Sequence, residues 1–222
     1  MGKMIELTAS DGHKLAAYRA DPAGKPRGAI VVIQEIFGVN SHVKAVTDGF
    51  AADGYLAIAP AMFDRVQKNF DVGYTPPDIE KGRDLRAKIT VDMAMKDAQA
   101  AIDAVKGAGK VDIVGYCWGG FVAWMASAKL SGLSAAVPYY GGGILDNADI
   151  EPKVPVMAHF GEKDSMIPVA GVKKLAEKHK KHQVFIYAAD HGFNCDHRGS
   201  YDAPSAKQAR ERTLEFFRKH IG

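Results

Sequence analysis

Residues 111–130, VDIVGYCWGGFVAWMASAKL, decide how this chain folds. Val111-Asp112-Ile113-Val114 is a short β-branched run closed by Gly115, which predicts a strand. From Phe121 the apolar and small residues continue to Leu130 without Pro or Gly, which predicts a helix. Between the two, Gly115 and Gly119 frame Cys117. Glycines two positions either side of a nucleophile are the mark of a sharp strand-to-helix turn that lifts one side chain above a sheet edge. A cysteine packed as a small hydrophobe would satisfy the same letters. The choice between them rests on what the rest of the chain brings to that edge.

Strand and helix patterns alternate on both sides of the turn. AIVVIQE (29–35) is a continuous apolar run, as in a strand covered on both faces. A helix is predicted from Ser41, a plausible N-cap, to Ala52, followed by the strand YLAIAPA. After Pro76-Pro77 the pattern predicts one long helix over 78–106. Two further strands lie in LSAAVPYYGG and KVPVMAHFGEKD, then a helix over 169–180, the strand QVFIYA and a C-terminal helix over 203–220. At the start, MIELTA and KLAAYRAD flank Asp11-Gly12, a strong hairpin signal. The chain is therefore expected to form one α/β domain over 1–222, with a mostly parallel central sheet, helices on both faces and an N-terminal antiparallel hairpin. It carries no internal repeat.

Composition excludes several classes of function. Among 222 residues, 29 Lys+Arg against 26 Asp+Glu leave a formal charge of +3, too small to argue for nucleic acid or membrane as a partner. The basic stretch KKLAEKHKKH (173–182) reads as the solvated face of a helix. Two cysteines, Cys117 and Cys195, do not make a disulfide scaffold. The opening residues lack the pattern of a signal peptide, and Glu6 breaks the myristoylation motif that Met-Gly begins. A cytoplasmic protein without a cofactor or metal, monomeric or weakly self-associating and acting on a small molecule, is the expectation.

In open parallel sheets, ligands sit beyond the carboxyl ends of the strands. Gln34 and Glu35 follow the AIVVI strand, Cys117 follows the VDIV strand, Asp164 comes after the KVPVMAHF strand, and His191 after QVFIYA. A thiolate attacks and a histidine accepts and returns its proton, while an aspartate holds the imidazole in one tautomer. Cys117, Asp164 and His191 fit those roles, and any one of them alone has an ordinary structural reading. Cys117 would also sit at a helix N-terminus, whose positive end favours a thiolate. The Trp118 N–H and an N–H from the loop after 29–33, that of Ile36, are candidates for an oxyanion hole. Glu35 follows an apolar strand and precedes apolar residues, so it is expected to be partly buried and near the thiol.

At these residues the sequence strongly resembles the dienelactone hydrolase (carboxymethylenebutenolidase) family. The shared pieces are QEIFGVN, GYCWGG, VPYYGG, GEKDSMIP and DHGF, spread in the family's order over nearly the whole chain. The resemblance implies an α/β-hydrolase fold without a cap domain and a Cys117–Asp164–His191 triad. It implies hydrolysis of a small lactone or enol ester, dienelactone foremost, through an acyl-enzyme. It also implies that Glu35 pairs with an arginine at rest and takes the cysteine's proton when substrate binds. The family's helical arginine, partner of that glutamate and of the substrate carboxylate, corresponds to Arg83 or Arg86, with Arg83 preferred. Where simple alignment puts a second family arginine, this chain has Cys195, and Arg198 three residues on either substitutes or reports a different substrate. Phe37, Tyr139 and Tyr140 are further candidates to line the pocket. A related esterase or lactonase is the alternative activity, a fold-sharing protein that only binds a ligand is a third reading, and a metal site from Cys195, His191 and His197 is a weaker fourth.

Overall fold

The computed structural model describes residues 2–222. Its strands are β1 (Lys3–Thr8), β2 (Lys14–Ala20), β3 (Ala29–Ile33), β4 (Leu56–Pro60), β5 (Val111–Tyr116), β6 (Leu133–Tyr139), β7 (Met157–Gly161) and β8 (Gln183–Tyr187). The helices are α1 (Ser41–Ala52), α2 (Pro76–Ala87), α3 (Val91–Val105), α4 (Trp118–Lys129), α5 (Val169–Lys178) and α6 (Ala203–Ile221). The strands make one sheet in the order β1-β2-β4-β3-β5-β6-β7-β8. Strands β3 to β8 run parallel, and the β1–β2 hairpin joins antiparallel through β2 to β4. This is the architecture expected from the sequence. Between β6 and β7 the chain holds only a loop with one 3-10 turn, Leu145–Asn147.

Every residue of β3, β4 and β5 is buried, because helices cover both faces of the sheet there. On one face, α1 and α6 pack together, with Phe50 against Phe217 at 5.7 Å. On the other, α3 and α4 lie over the central strands, and Trp124 of α4 meets His179 at the end of α5. Helix α4 is buried along its whole length except Lys129, which is why its sequence is apolar all round. Among the described residues, no helix is long and apolar enough to cross a membrane.

The single helix expected over 78–106 is two. Helix α2 begins at Pro76, with Thr75 and Asp78 closing a capping box, and ends at Ala87. Thr90 then caps α3, its hydroxyl accepting the Met93 N–H at 3.2 Å, while Ile89 is buried beneath the break. The signal was present in Ile89-Thr90-Val91, three β-branched residues that weaken a helix, followed by an acidic first turn at Asp92. The break lets α2 leave the sheet and lie over the strand ends. There Gly82 rests on the loop after β3, and a Cβ in its place would stand 2.2 Å from the Ile36 carbonyl oxygen.

Two buried carboxylates show contrasting solutions. Asp97 on α3 accepts two hydrogen bonds from Arg65, at 2.8 and 2.7 Å, which pins the loop after β4 to the helix layer. Asp112 on β5 is fully buried, and neither of its oxygens makes a well-aligned hydrogen bond. Burial pushes its pKa up to about 8, with the nearby Ala135 N–H and Lys110 pulling the other way. Such a raised carboxyl contributes no penalty below its unfolded pKa, and stability is lost as pH climbs from there to about 8. Asp112→Asn should therefore gain stability relative to wild type as pH rises. Urea melts at acidic and mildly alkaline pH should show the gap widening in the mutant's favour, by roughly 1 kcal/mol or more; a constant gap would contradict this account.

Candidate active site

The nucleophile candidate is set by a backbone turn that only small neighbours permit. Cys117 joins β5 to α4 at φ 54°, ψ −118°, left-handed space that costs a non-glycine residue about 1–3 kcal/mol. Its own N–H donates to the Tyr139 carbonyl of the neighbouring strand at 3.0 Å, and its carbonyl accepts from Gly120 at 2.9 Å. A Cβ at Gly119 would lie 2.4 Å from the Ile33 oxygen and 2.5 Å from the Gln34 oxygen. One at Gly115 would lie 1.9 Å from the Gly119 oxygen. Strand and helix close on each other at a distance that any side chain would block.

The loops after β3, β7 and β8 bring the other groups to the same edge. Asp164, buried, accepts the Met166 N–H at 2.9 Å through Oδ1 and the His191 Nδ1–H at 2.7 Å through Oδ2. Because a carboxylate only accepts, the proton sits on Nδ1, and Nε2 faces Cys117 Sγ at 3.1 Å. Burial by itself would lower the His191 pKa, but the sulfur and Asp164 outweigh it and push it up to about 10. The imidazole can thus hold a proton beside a thiolate. The N–H groups of Trp118 and Ile36 are not engaged by a protein acceptor among the described residues. The Ile36 loop is tied down by Gln34, fully buried, whose Oε1 accepts from Met62 N–H at 3.1 Å.

Above these groups lies a cavity of about 400 Å³, lined by Ile36, Phe37, Arg83, Arg86, Cys117, Trp118, His191 and Arg198 among others. Three guanidinium groups against the one carboxylate in its lining, Asp146, make it a receptacle for an anion. Ile79, Asp146 and Met166 also line it and were not singled out from the sequence. They come from three loops or helices distant in the chain, and nothing local in their segments marks them.

Two expectations are corrected, and one weaker alternative finds no support. Glu35 pairs with Arg198 Nη1 at 2.9 Å, and not with Arg83 or Arg86, which stand exposed on α2 at the mouth of the cavity. Arg198 can reach because the turn from Cys195 to Arg198, closed by a 3.1 Å backbone bond, doubles the chain back over Gly192. Glu35 itself is 2% exposed, and its Oε2 has no partner. Tyr139 does not line the cavity: its ring packs on His159 at 4.4 Å and its hydroxyl shares a 2.6 Å hydrogen bond with Thr213 in the core. The following residue, Tyr140, is the one whose ring meets His191, at 5.2 Å. Finally, Cys195, His191 and His197 do not converge, because His191 is committed to Asp164 and Cys117 while His197 turns toward Asp196.

Replacing Asp164 tests the electrostatic account directly. In wild type the alkaline limb of the kcat/KM profile should fall near pH 10, where His191 gives up its proton. Asp164→Asn removes a group that raises that pKa, so the limb should move to lower pH. An unmoved limb would show that Asp164 does not act through the imidazole.

The chain is similar to known proteins over nearly its whole length. A model of the dienelactone hydrolase family matches residues 15–221. A protein of Synechocystis sp. is 34% identical over 94% of this chain and 93% of its own length. A carboxymethylenebutenolidase of Pseudomonas putida is 31% identical over 96% of this chain and 94% of its own. A crystal structure from Klebsiella pneumoniae superposes with a TM-score of 0.85 at 29% identity, covering 98% of this chain and 100% of that one.

Proposed function

Because this chain belongs to the dienelactone hydrolase family of α/β-hydrolase-fold ester hydrolases, we propose that it opens a small anionic lactone or enol ester through an acyl-enzyme on Cys117. The observation that carries this reading is the unbroken chain Asp164–His191–Cys117, at 2.7 and 3.1 Å, beneath a cavity ringed by three arginines. The substrate carboxylate lies among Arg83, Arg86 and Arg198. Its claim on Arg198 loosens the guanidinium from Glu35, whose unpartnered oxygen is then free to draw the proton from the thiol. Until then the paired Glu35 leaves the sulfur poorly reactive.

The thiolate attacks the ester carbonyl carbon, and the N–H groups of Trp118 and Ile36 take the negative oxygen of the tetrahedral intermediate. Collapse breaks the C–O bond, and protonated His191 delivers its proton to the leaving enolate oxygen. Water then attacks the thioester with His191 as base, regaining its proton, and the cysteine leaves taking back the proton that Glu35 held, which restores the resting enzyme. A dienelactone, itself a carboxylate, suits the cationic cavity. A related lactone or ester with its carboxylate differently placed is the second reading, favoured by an arginine that stands three positions beyond the one simple alignment expects.

Cys117→Ala should abolish turnover of dienelactone and p-nitrophenyl acetate alike, and mass spectrometry of the wild type should trap an acyl group on Cys117; retained hydrolysis in the mutant would sink the reading. The Arg83→Ala, Arg86→Ala double mutant changes only exposed positions. It should lose about ten-fold or more in kcat/KM on the anionic lactone, roughly 1.4 kcal/mol, with p-nitrophenyl acetate almost unaffected.

A further inference from the structure

Away from Cys117, two groups of metal-ligating side chains bring their ligand atoms within 4.8 Å of one another: His42, Asp196 and His197, and Glu151, His179 and His182. Tautomers separate them. His182 Nδ1 accepts the Val156 N–H at 3.2 Å, and burial lowers its pKa, so the neutral ring carries its proton on Nε2. The nitrogen that faces the group has no lone pair to give. His179 donates through Nε2 to the Ala148 carbonyl at 2.7 Å, leaving it and Glu151 as a two-member contact. That is a histidine–carboxylate pair.

The first group has no such obstacle. His42 Nδ1 lies 3.0 Å from Asp196 Oδ1, and His197 Nε2 lies 3.7 Å from the same oxygen. Ligand bonds of about 2.0–2.1 Å at tetrahedral angles put ligand atoms roughly 3.3 Å apart, between those two distances. His42 is buried on α1, and its Nε2 has no partner. In the tautomer with the proton on Nε2, the ring turns its Nδ1 lone pair toward Asp196 and a cation. Asp196 and His197 stand at the surface, where an ion has access. A second cavity, of about 350 Å³ and lined in part by His42 and Asp196, leaves room for a water or small anion as a fourth ligand.

The place of the group in the fold gives it a consequence. Asp196 and His197 are the two inner residues of the Cys195–Arg198 turn, whose last residue holds Glu35. We propose that His42, Asp196 and His197 form a binding site for a first-row dication of the Zn²⁺ class, which fastens this turn to α1. Two imidazoles and one carboxylate suit such an ion better than Ca²⁺ or Mg²⁺, which seek oxygen. The site is independent of the reaction at Cys117 and needs no turnover to be seen.

The test uses the Cys117→Ser protein, so that the active-site thiol cannot bind the probe. Zn²⁺ titrated by calorimetry should bind at one equivalent with Kd below about 10 μM. His197→Gln and Asp196→Asn, at exposed positions that do not endanger folding, should each weaken it about ten-fold or more. Co²⁺ in place of Zn²⁺ should give the visible bands of a nitrogen–oxygen site without a thiolate charge-transfer band. Saturating Zn²⁺ should raise Tm in the parent and not in His197→Gln. No binding, binding unchanged in both variants, or a thiolate band that places the ion on Cys195 would each overturn the proposal.

Discussion

The site depends on one strained residue. Cys117 is held at φ 54° because β5 runs directly into α4 with no loop between them. That junction exists only because Gly115 and Gly119 let the backbones of strand, helix and the end of β3 come into contact. From it follow the sulfur's elevation above the sheet edge, the helix N-terminus beneath it and the free N–H of Trp118 beside it. A turn strained by about 1–3 kcal/mol persists because buried β3, β5 and α4 surround it and leave no lower-energy alternative.

Around the turn, ionisable groups are buried in pairs. Glu35 with Arg198, and His191 with Asp164, each keep a charge out of water by giving it a partner within 3 Å. Removing water strengthens such interactions in both directions. On the proposed reading, an anion in the cavity would compete for Arg198 at close range, and Glu35 would lose its partner. Tyr140, buried with an unpartnered hydroxyl and a left-handed backbone beside His191, belongs to the same strained neighbourhood.

Much of the fold could be read from periodicity. Strands β3 and β4, fully buried, are continuous apolar runs, the amphipathic helices match their apolar spacing, and the hairpin matches Asp11-Gly12. The failures were those in which local pattern competes with context. A break at Ile89-Thr90 was hidden by helical spacing on either side, because one capping hydroxyl outweighs a periodicity that continues across it. Tyr139 and Tyr140 are adjacent in a strand end, where successive side chains diverge. Both are buried, and Tyr139 is held by Thr213 and His159, neither near in sequence, while Tyr140 lies against His191.

By itself the sequence determined the residue types and their order: a cysteine between glycines, then an aspartate and a histidine, each just beyond a strand, with Glu35 behind an apolar run. Strand ends in a parallel sheet share one edge, so order along the chain was enough to bring these four together. Which arginine meets Glu35 was decided only by the tertiary structure. Arg83, Arg86 and Arg198 are chemically equivalent, and spacing favours none of them. The turn at Cys195–Arg198 folds one guanidinium inward, while the break before α3 leaves the other two on an exposed helix face. A long side chain's partner is set by the backbone path that delivers it, and that path is fixed by contacts between segments far apart in the chain.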